Sequence, residues 1–313
     1  MKPAVFVMRA LPGGIPEAVR ASCEVLGGDR APPARETLPE VARGAETLVV
    51  TYLDRVDGPL LAALPAVRRV CSYGVGVNHV DLPACRERGV VLTNTPDVLT
   101  DATADLAMAL LLAAARRVAE GDRLIRAGAW RAVAPDFFLG TEVSGKVLGI
   151  VGFGRIGQAV ARRALGFSLR VLYSGPREVA FPGAERVGLD RLLSESDFVS
   201  LHCPLNEETR NLLSRDRIAR MKRGAVVVNT ARGPVLDEEA LADAIEDGRL
   251  FAAGLDVFRD EPNVPPRLRT LERVVLTPHV GSGTVETRTA MAGLVWEEVL
   301  RAVAGRAPAH PVP

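Results

Sequence analysis

Three glycines, Gly152, Gly154 and Gly157, stand at GxGxxG spacing inside the run Val147-Leu-Gly-Ile-Val-Gly-Phe-Gly-Arg-Ile-Gly-Gln-Ala-Val-Ala. The run before them is apolar and strand-like, and the run after them is alanine-rich and helical. No other feature limits the fold so tightly. A turn of this kind joins a strand to a helix packed on it: the first glycine permits the tight turn, the second admits a phosphate to the backbone, and the third lets the helix close on the strand. The phosphates then sit on the helix N-terminus. The spacing alone occurs in any glycine-rich turn, so the context decides. Strand candidates follow at 169–173, 197–201, 225–229, 251–256 and 273–277; with 147–151 they make six, the count of a full dinucleotide-binding sheet.

The first hundred residues hold a smaller series of strand candidates, at 4–8, 48–51, 69–72 and 90–93, again alternating with helical stretches. A chain of 313 residues exceeds what one core comfortably encloses, so two domains with a cleft between them are expected. Residues 100–117, free of Gly and Pro and apolar at helical spacing, predict a long buried helix that can serve as a hinge. Residues 283–301 predict another helix, with Met291, Leu294, Val295 and Val299 on one stripe, returning to the first lobe. The domains are therefore placed at 1–99, completed by 283–313, and at 100–282. The proline-rich end, 307–313, is expected to fray.

Charge excludes several functions. The 39 basic and 38 acidic residues leave a net charge of +1, no reason to expect nucleic acid or an anionic membrane. The longest apolar run, 106–115, is about half the roughly 20 residues a bilayer span needs. The apolar run at 4–8 is too short for a signal-peptide core. Cys23, Cys71, Cys85 and Cys203 lie far apart with no CxxC pair, which suggests neither a metal site nor a disulfide framework. A reducing compartment, the cytoplasm, is expected.

An NAD site wants an acidic residue about 20 positions past the glycines, to hold the ribose 2′-hydroxyl. Here the strand at 169–173 runs into Ser174-Gly-Pro-Arg177, with no carboxylate at its end. A small hydroxyl and a guanidinium suit a 2′-phosphate, to which Arg offers a charge-assisted fork. NADP(H) is expected in preference to NAD(H); the alternative is that Arg177 is an ordinary solvated loop residue.

Six motifs carry a family resemblance: Gly74-Val-Gly76-Val-Asn-His-Val-Asp81, the glycine turn, His202-Cys-Pro-Leu205, Met221 through Gly233, Gly254-Leu-Asp-Val-Phe258 with Glu261-Pro262, and Thr277-Pro-His279-Val-Gly-Ser282. In this order they resemble the D-2-hydroxyacid dehydrogenases over almost the whole chain. The stretches Val171-Leu-Tyr-Ser-Gly175 and Thr100-Asp-Ala-Thr-Ala-Asp105 look most like the glyoxylate/hydroxypyruvate reductases, which favour NADPH. The resemblance implies an α/β protein of two domains: a Rossmann domain with a parallel sheet and a smaller flavodoxin-like α/β substrate domain.

Reducing a 2-keto acid needs a cation to bind the carboxylate and polarise the carbonyl, and an acid to protonate the developing alkoxide. Arg232 follows the strand at 225–229, at the end where α/β sheets bind ligands, and its fork can grip carboxylate and keto oxygen together. His279 follows the strand at 273–277 and can deliver a proton near neutrality. Glu261, eighteen residues earlier, would favour the charged imidazolium; taken alone it reads as a turn residue before Pro262. Among the other histidines, His202 also ends a strand and is the rival on position alone, while His79 falls in a turn of the first lobe and His310 in the tail.

The resemblance implies further roles. Backbone N–H groups at Val75 and Gly76 would hold the substrate carboxylate with Arg232 and His279. Asp256 would bond the nicotinamide carboxamide. Thr103, Cys203, Pro204, Thr209, Thr230, Ala231 and Gly281 would line the cofactor along with Gly152, Gly154, Arg155, Ile156, Gly157, Ser174 and Arg177. Cys203 has no evident activating base, so it reads as a cofactor neighbour rather than a nucleophile. Tyr52, Leu53, Tyr73 and Val75 would tune substrate choice, and Trp130 to Gly140 would form the arm of a homodimer. A phosphoglycerate or formate dehydrogenase, and a non-enzymatic NAD(H)-sensing corepressor, remain the other readings of the same motifs.

Overall fold

Among the described residues, every ladder between named strands is parallel, so each strand is joined to the next by a connection that crosses a sheet face. The coordinates are a computed structural model that describes residues 2–28 and 31–313. The chain divides into two compact units, Met1–Leu99 with Thr284–Pro313, and Thr100–Gly283.

The first unit contains a five-stranded sheet: β1 (Ala4–Val7), β2 (Glu24–Gly27), β3 (Ala45–Thr51), β4 (Arg69–Tyr73) and β5 (Val91–Thr93), in spatial order β2-β1-β3-β4-β5. This is the flavodoxin-like order. β3 and β4 are buried almost throughout, as inner strands covered on both faces are, although they carry the polar residues Thr47, Thr51, Arg69 and Ser72. β2 has no such signal, because at the sheet edge it pairs only with β1 and its four residues are exposed or half-buried.

The helix Val285–Val303 lies on this same sheet. It buries Met291, Val295, Trp296 and Val299, and the Tyr73 hydroxyl donates to Arg288 O at 3.1 Å. Leu294, expected on the buried stripe, is only half-buried. Glu298, 1% exposed, pairs with Arg69 at 3.5 Å.

The tail does not fray. Glu298 Oε1 accepts from Ala309 N and His310 N at 2.8 and 2.9 Å, and Val312 N donates to Leu92 O at 2.8 Å. Pro311 bridges Thr93 antiparallel, so the proline-rich segment covers the open edge of β5. Composition predicts fraying here because it registers missing N–H donors, not a carboxylate waiting to receive the ones that remain.

The second unit holds seven strands: β6 (Val147–Val151), β7 (Arg170–Ser174), β8 (Ala184–Arg186), β9 (Phe198–Leu201), β10 (Ala225–Asn229), β11 (Leu250–Leu255) and β12 (Val274–Leu276). Their order, β12-β11-β10-β9-β6-β7-β8, is the doubly wound dinucleotide-binding order with one further strand at the end. The expected count of six omits β8, a three-residue edge strand, Ala-Glu-Arg, with nothing apolar to announce it. The predicted helix at 100–117 ends at Ala115; Arg117 takes a left-handed φ of 56° and the chain turns into a second helix, Val118–Arg126. Gly254 lies against Leu110, where a side chain would collide, so glycine in β11 lets the helix Thr100–Ala115 press onto the sheet.

Candidate active site

Parallel strands put all their C-terminal ends along one edge, and β10, β11 and β12 are neighbours. Arg232, Glu261 and His279 each follow one of these strands, so sheet order alone brings them to the same edge of the second unit.

β10 ends in Asn229, which is fully buried. Its side chain closes the next turn from both sides: Oδ1 accepts from Ala231 N at 3.0 Å and Nδ2 donates to Arg232 O at 3.1 Å. Sequence reasoning passes over Asn229, although an amide ending an otherwise apolar strand is a signal. The Arg232 side chain, half-buried, donates to Ala231 O at 2.6 Å.

β11 leads into Asp256, 1% exposed. Its Oδ1 accepts from Thr277 Oγ1 at 2.6 Å and Val280 N at 2.8 Å, and its Oδ2 from Gly281 N at 2.8 Å. One carboxylate thus wraps the turn after β12 around itself. Burial pushes the Asp256 carboxyl above its usual range, and these hydrogen bonds with the His279 charge oppose that only in part. With about four lone-pair sites on a carboxylate, Asp256 retains capacity for a carboxamide donor. Gly281 faces Thr103 and Asp256, which places three of the expected cofactor residues together.

Inside that turn His279 adopts φ 52°, with its N–H donating to Asp256 O at 2.9 Å. A left-handed conformation is uncommon outside glycine and is maintained by surrounding bonds. His279 Nδ1 lies 2.6 Å from Glu261 Oε2, both side chains being 22% exposed. Burial pushes Glu261 up, but the His279 hydrogen bond, the Phe258 N–H and the charges of His279 and Arg232 outweigh it and hold the carboxyl below its ordinary range. An ionised carboxylate only accepts, so Nδ1 carries the proton of this hydrogen bond.

The sign for stability follows. A depressed carboxyl contributes above its unfolded value, near 4.5, and loses that contribution as pH falls through the folded value. Glu261→Gln should therefore melt below the parent protein at neutral pH, and the two melting curves should converge on acidification. A gap that widens in acid would contradict this.

The rival histidine, His202, is hydrogen-bonded on both ring nitrogens. His202 Nε2 is 2.8 Å from Ser200 Oγ and Nδ1 is 3.4 Å from Thr230 Oγ1. Burial pushes its imidazole down to about 4, which favours the neutral ring. Burial likewise pushes the Cys203 thiol up to about 11, which disfavours its thiolate. His79 bonds Ser72 Oγ at 3.2 Å in the first unit.

The glycine turn has the shape a pyrophosphate needs. Gly152, φ 93°, abuts His202 and Cys203, where any Cβ would overlap backbone; Gly157 lies against Gly152 O in the same way. Gly154 differs: no heavy atom lies within 4 Å of its missing Cβ, and no side chain caps the helix Arg155–Gly166 that it opens. Two glycines are thus filled by protein and the middle one faces open space, at a helix N-terminus suited to anions. Arg155 is exposed beside it and Ile156 is half-buried.

After β7, the loop from Ser174 is pinned by the Tyr173 hydroxyl, which both receives Val179 N and donates to Val179 O at 3.0 Å. Ser174 and Gly175 line an open pocket of about 400 Å³ with Glu178, Arg186, Val187 and Gly188. Arg186 Nη2 donates to Gly175 O at 3.1 Å. Arg177 is exposed on the loop and is not among the lining residues. The sequence reading weighs neither the cation Arg186 nor the carboxylate Glu178, since both acquire their positions from the unrecognised strand β8 and the folded loop.

Of the remaining expected residues, Pro204 is exposed and Thr209 closes the turn behind it, its hydroxyl donating to Pro204 O at 2.6 Å. Val75 and Gly76 belong to the first unit, in the loop after β4, where Asn94 Nδ2 donates to Val75 O at 2.9 Å. Among the described residues no cluster of three or more His, Cys, Asp or Glu is placed to hold a metal, and no helix is long and apolar enough to cross a membrane.

Comparison with known proteins agrees in its particulars. Residues 108–281 match the model of the D-isomer specific 2-hydroxyacid dehydrogenase NAD binding domain. A glyoxylate reductase of Korarchaeum cryptofilum is 46% identical, over 98% of this chain and 95% of that one. A glyoxylate reductase of Pyrococcus furiosus is 45% identical, over 98% and 94%. A crystal structure of a protein from Thermus thermophilus superposes with a TM-score of 0.93 at 46% identity, covering 99% of this chain and 100% of that one. An NADPH-dependent glyoxylate/hydroxypyruvate reductase from Sinorhizobium meliloti, solved with NADP and malonate, gives 0.86 at 30% identity, covering 100% and 97%.

Proposed function

We propose, from the premise that this chain belongs to the D-isomer specific 2-hydroxyacid dehydrogenase family, that it reduces glyoxylate or hydroxypyruvate to the D-2-hydroxy acid, with NADPH as the preferred hydride source. It is an oxidoreductase that uses a nicotinamide dinucleotide. The observation that carries the assignment of roles is the 2.6 Å bond between Glu261 and His279, on the sheet edge that also presents Arg232.

When bound, the reduced nicotinamide supplies the hydride that adds to the carbonyl carbon, C2 of the keto acid. The protein's residues supply position, charge and a proton. Arg232 binds the substrate carboxylate and polarises the keto oxygen. His279 Nε2 gives a proton to that oxygen as the C–H bond forms, and Glu261 supports the imidazolium until the proton leaves. Asp256, Thr103 and Gly281 hold the nicotinamide end of the dinucleotide, Gly154 and the helix it opens hold the pyrophosphate, and Thr230, Ala231, Cys203 and Pro204 line the path between. The test is a panel of 2-keto acids with NADPH, followed at the nicotinamide absorbance; no turnover with any of them would remove the reading.

The preference for NADPH rests on Ser174 in place of a carboxylate at the end of β7, with Arg186 on the adjoining pocket wall and Arg177 on the loop above. Glu178 on the same wall works against it. Ser174→Asp should lower the ratio of kcat/KM for NADPH over NADH by about tenfold, the factor carried by about 1.4 kcal/mol. An unchanged ratio would mean that this residue does not face the ribose.

A homodimer is also proposed. Trp130, Val133, Phe137 and Leu139 are exposed on one segment, next to Val118 and Ile125 on the preceding helix. Arg117 fixes that segment, its guanidinium 4.0 Å from the Phe138 ring and donating to Leu139 O at 3.2 Å. So much ordered apolar surface fits a second copy of the chain. Sedimentation should give a dimer for the parent protein and a monomer for the double variant Trp130→Ala, Leu139→Asp; a parent monomer would exclude the arm. Four unpaired cysteines fit work in the reducing cytoplasm, which cell fractionation would check.

A further inference from the structure

Glu238 is a carboxylate that the reaction above does not use. It opens the helix Glu238–Glu246, where Asp237 already caps Ala240 N, and it is only 5% exposed. An enclosed charge is costly unless a donor meets it. The donor comes from another segment: Arg259 N donates to Glu238 Oε1 at 2.7 Å. Burial pushes the Glu238 carboxyl up, opposed by that N–H and the Arg259 charge and assisted by Glu239 and Glu261.

Arg259 lies in the segment that leaves β11 and carries Glu261. The N–H groups on either side of Phe258 serve two carboxylates: Phe258 N donates to Glu261 Oε1 at 3.0 Å, and Arg259 N to Glu238. Gly233, next to Arg232, is pressed against the same peptide, where any Cβ would overlap the Phe258 carbonyl and the Arg259 nitrogen. Arg259 Nη2 donates in addition to Leu236 O at 3.2 Å. The segment that presents Arg232 therefore grips the segment that presents Glu261 at three places, and Glu238 supplies the carboxylate among the three grips.

We propose that Glu238 is a positioning residue for the reduction: by holding the Arg259 N–H it fixes the Glu261 carboxylate, and through it the His279 ring, in register with Arg232. The inference rests on the roles given above to those three residues. An acidic residue in the first turn of a helix also stabilises that helix, so the test must separate register from stability.

Glu238→Gln keeps an acceptor oxygen at the same reach, and Glu238→Ala removes it. For Ala, kcat with glyoxylate should fall by about tenfold or more, since a small misplacement of catalytic groups is strongly felt, while KM for NADPH stays within about twofold of the parent value. Gln should keep kcat within about threefold. A second readout needs no substrate: the far-downfield proton resonance of the His279–Glu261 hydrogen bond should persist in Gln and be shifted or lost in Ala. Parent kcat and parent resonance in Ala, even with a lowered melting temperature, would overturn the proposal, as would equal impairment of Gln and Ala. If Ala does not fold, the resonance in Gln decides, its loss being the contrary result. If the parent protein reduces no keto acid, the functional reading fails while the resonance comparison still judges Glu238.

Discussion

His279→Ala should lower kcat for keto-acid reduction by about 10²- to 10⁴-fold, the range that general acids contribute, while NADPH still binds with nearly parental affinity. The reasoning is spatial. His279 Nδ1 is committed to Glu261 at 2.6 Å, so Nε2 is the ring atom that can give a proton to substrate. The residues expected to hold the dinucleotide, by contrast, are anchored without the imidazole: Gly281 N is tied to Asp256, and Gly154 lies on a different loop altogether. Fluorescence titration with NADPH and steady-state turnover on the same preparation would separate the two effects. Turnover within about threefold of the parent would take His279 out of the reaction.

The second large effect is expected from Arg232→Ala, which should lower kcat/KM by roughly 30- to 5000-fold. This corresponds to about 2 to 5 kcal/mol for removing one partner of a buried charged hydrogen-bonded pair, at tenfold per about 1.4 kcal/mol. Arg232→Lys should not restore activity, because a single ammonium cannot take carboxylate and carbonyl oxygens on one planar fork. The backbone of the site should survive, since the two hydrogen bonds by which Asn229 closes the turn do not involve the guanidinium. A Lys variant with parental kcat/KM would show that only net charge is needed at this position.

The parts of this protein that could be read in advance are those where several constraints coincide. β6 with its glycine turn, and β10 with Arg232 after it, combine a buried apolar run, a turn and a fixed place in a parallel sheet, and both lie where the pattern puts them. Position alone does not separate His279 from His202, since both follow strands; only the family resemblance does. The parts that could not be read have few side-chain demands. β2 and β8 are edge strands held by backbone pairing on one side only, so their sequences carry no apolar period. Arg186, at the end of β8, and Glu178, on the loop before it, line one pocket with Ser174, and no spacing rule connects them to Gly152. The sequence also gives no sign that Asp256 shapes the turn that carries His279 through three accepted hydrogen bonds.

The first unit is begun by one end of the chain and completed by the other, with the whole of the second unit, Thr100–Gly283, inserted between. During synthesis this inverts the usual order. Tyr73, Arg69 and Leu92 leave the ribosome long before Arg288, Glu298 and Val312 exist to meet them, whereas the inserted unit has all its own strands as soon as β12 emerges. The nascent protein must therefore carry a five-stranded sheet without its helix Val285–Val303 and with its β5 edge uncovered for as long as translation takes to reach them. Limited proteolysis of stalled nascent chains should find residues 100–283 protected while residues 1–99 are still cut.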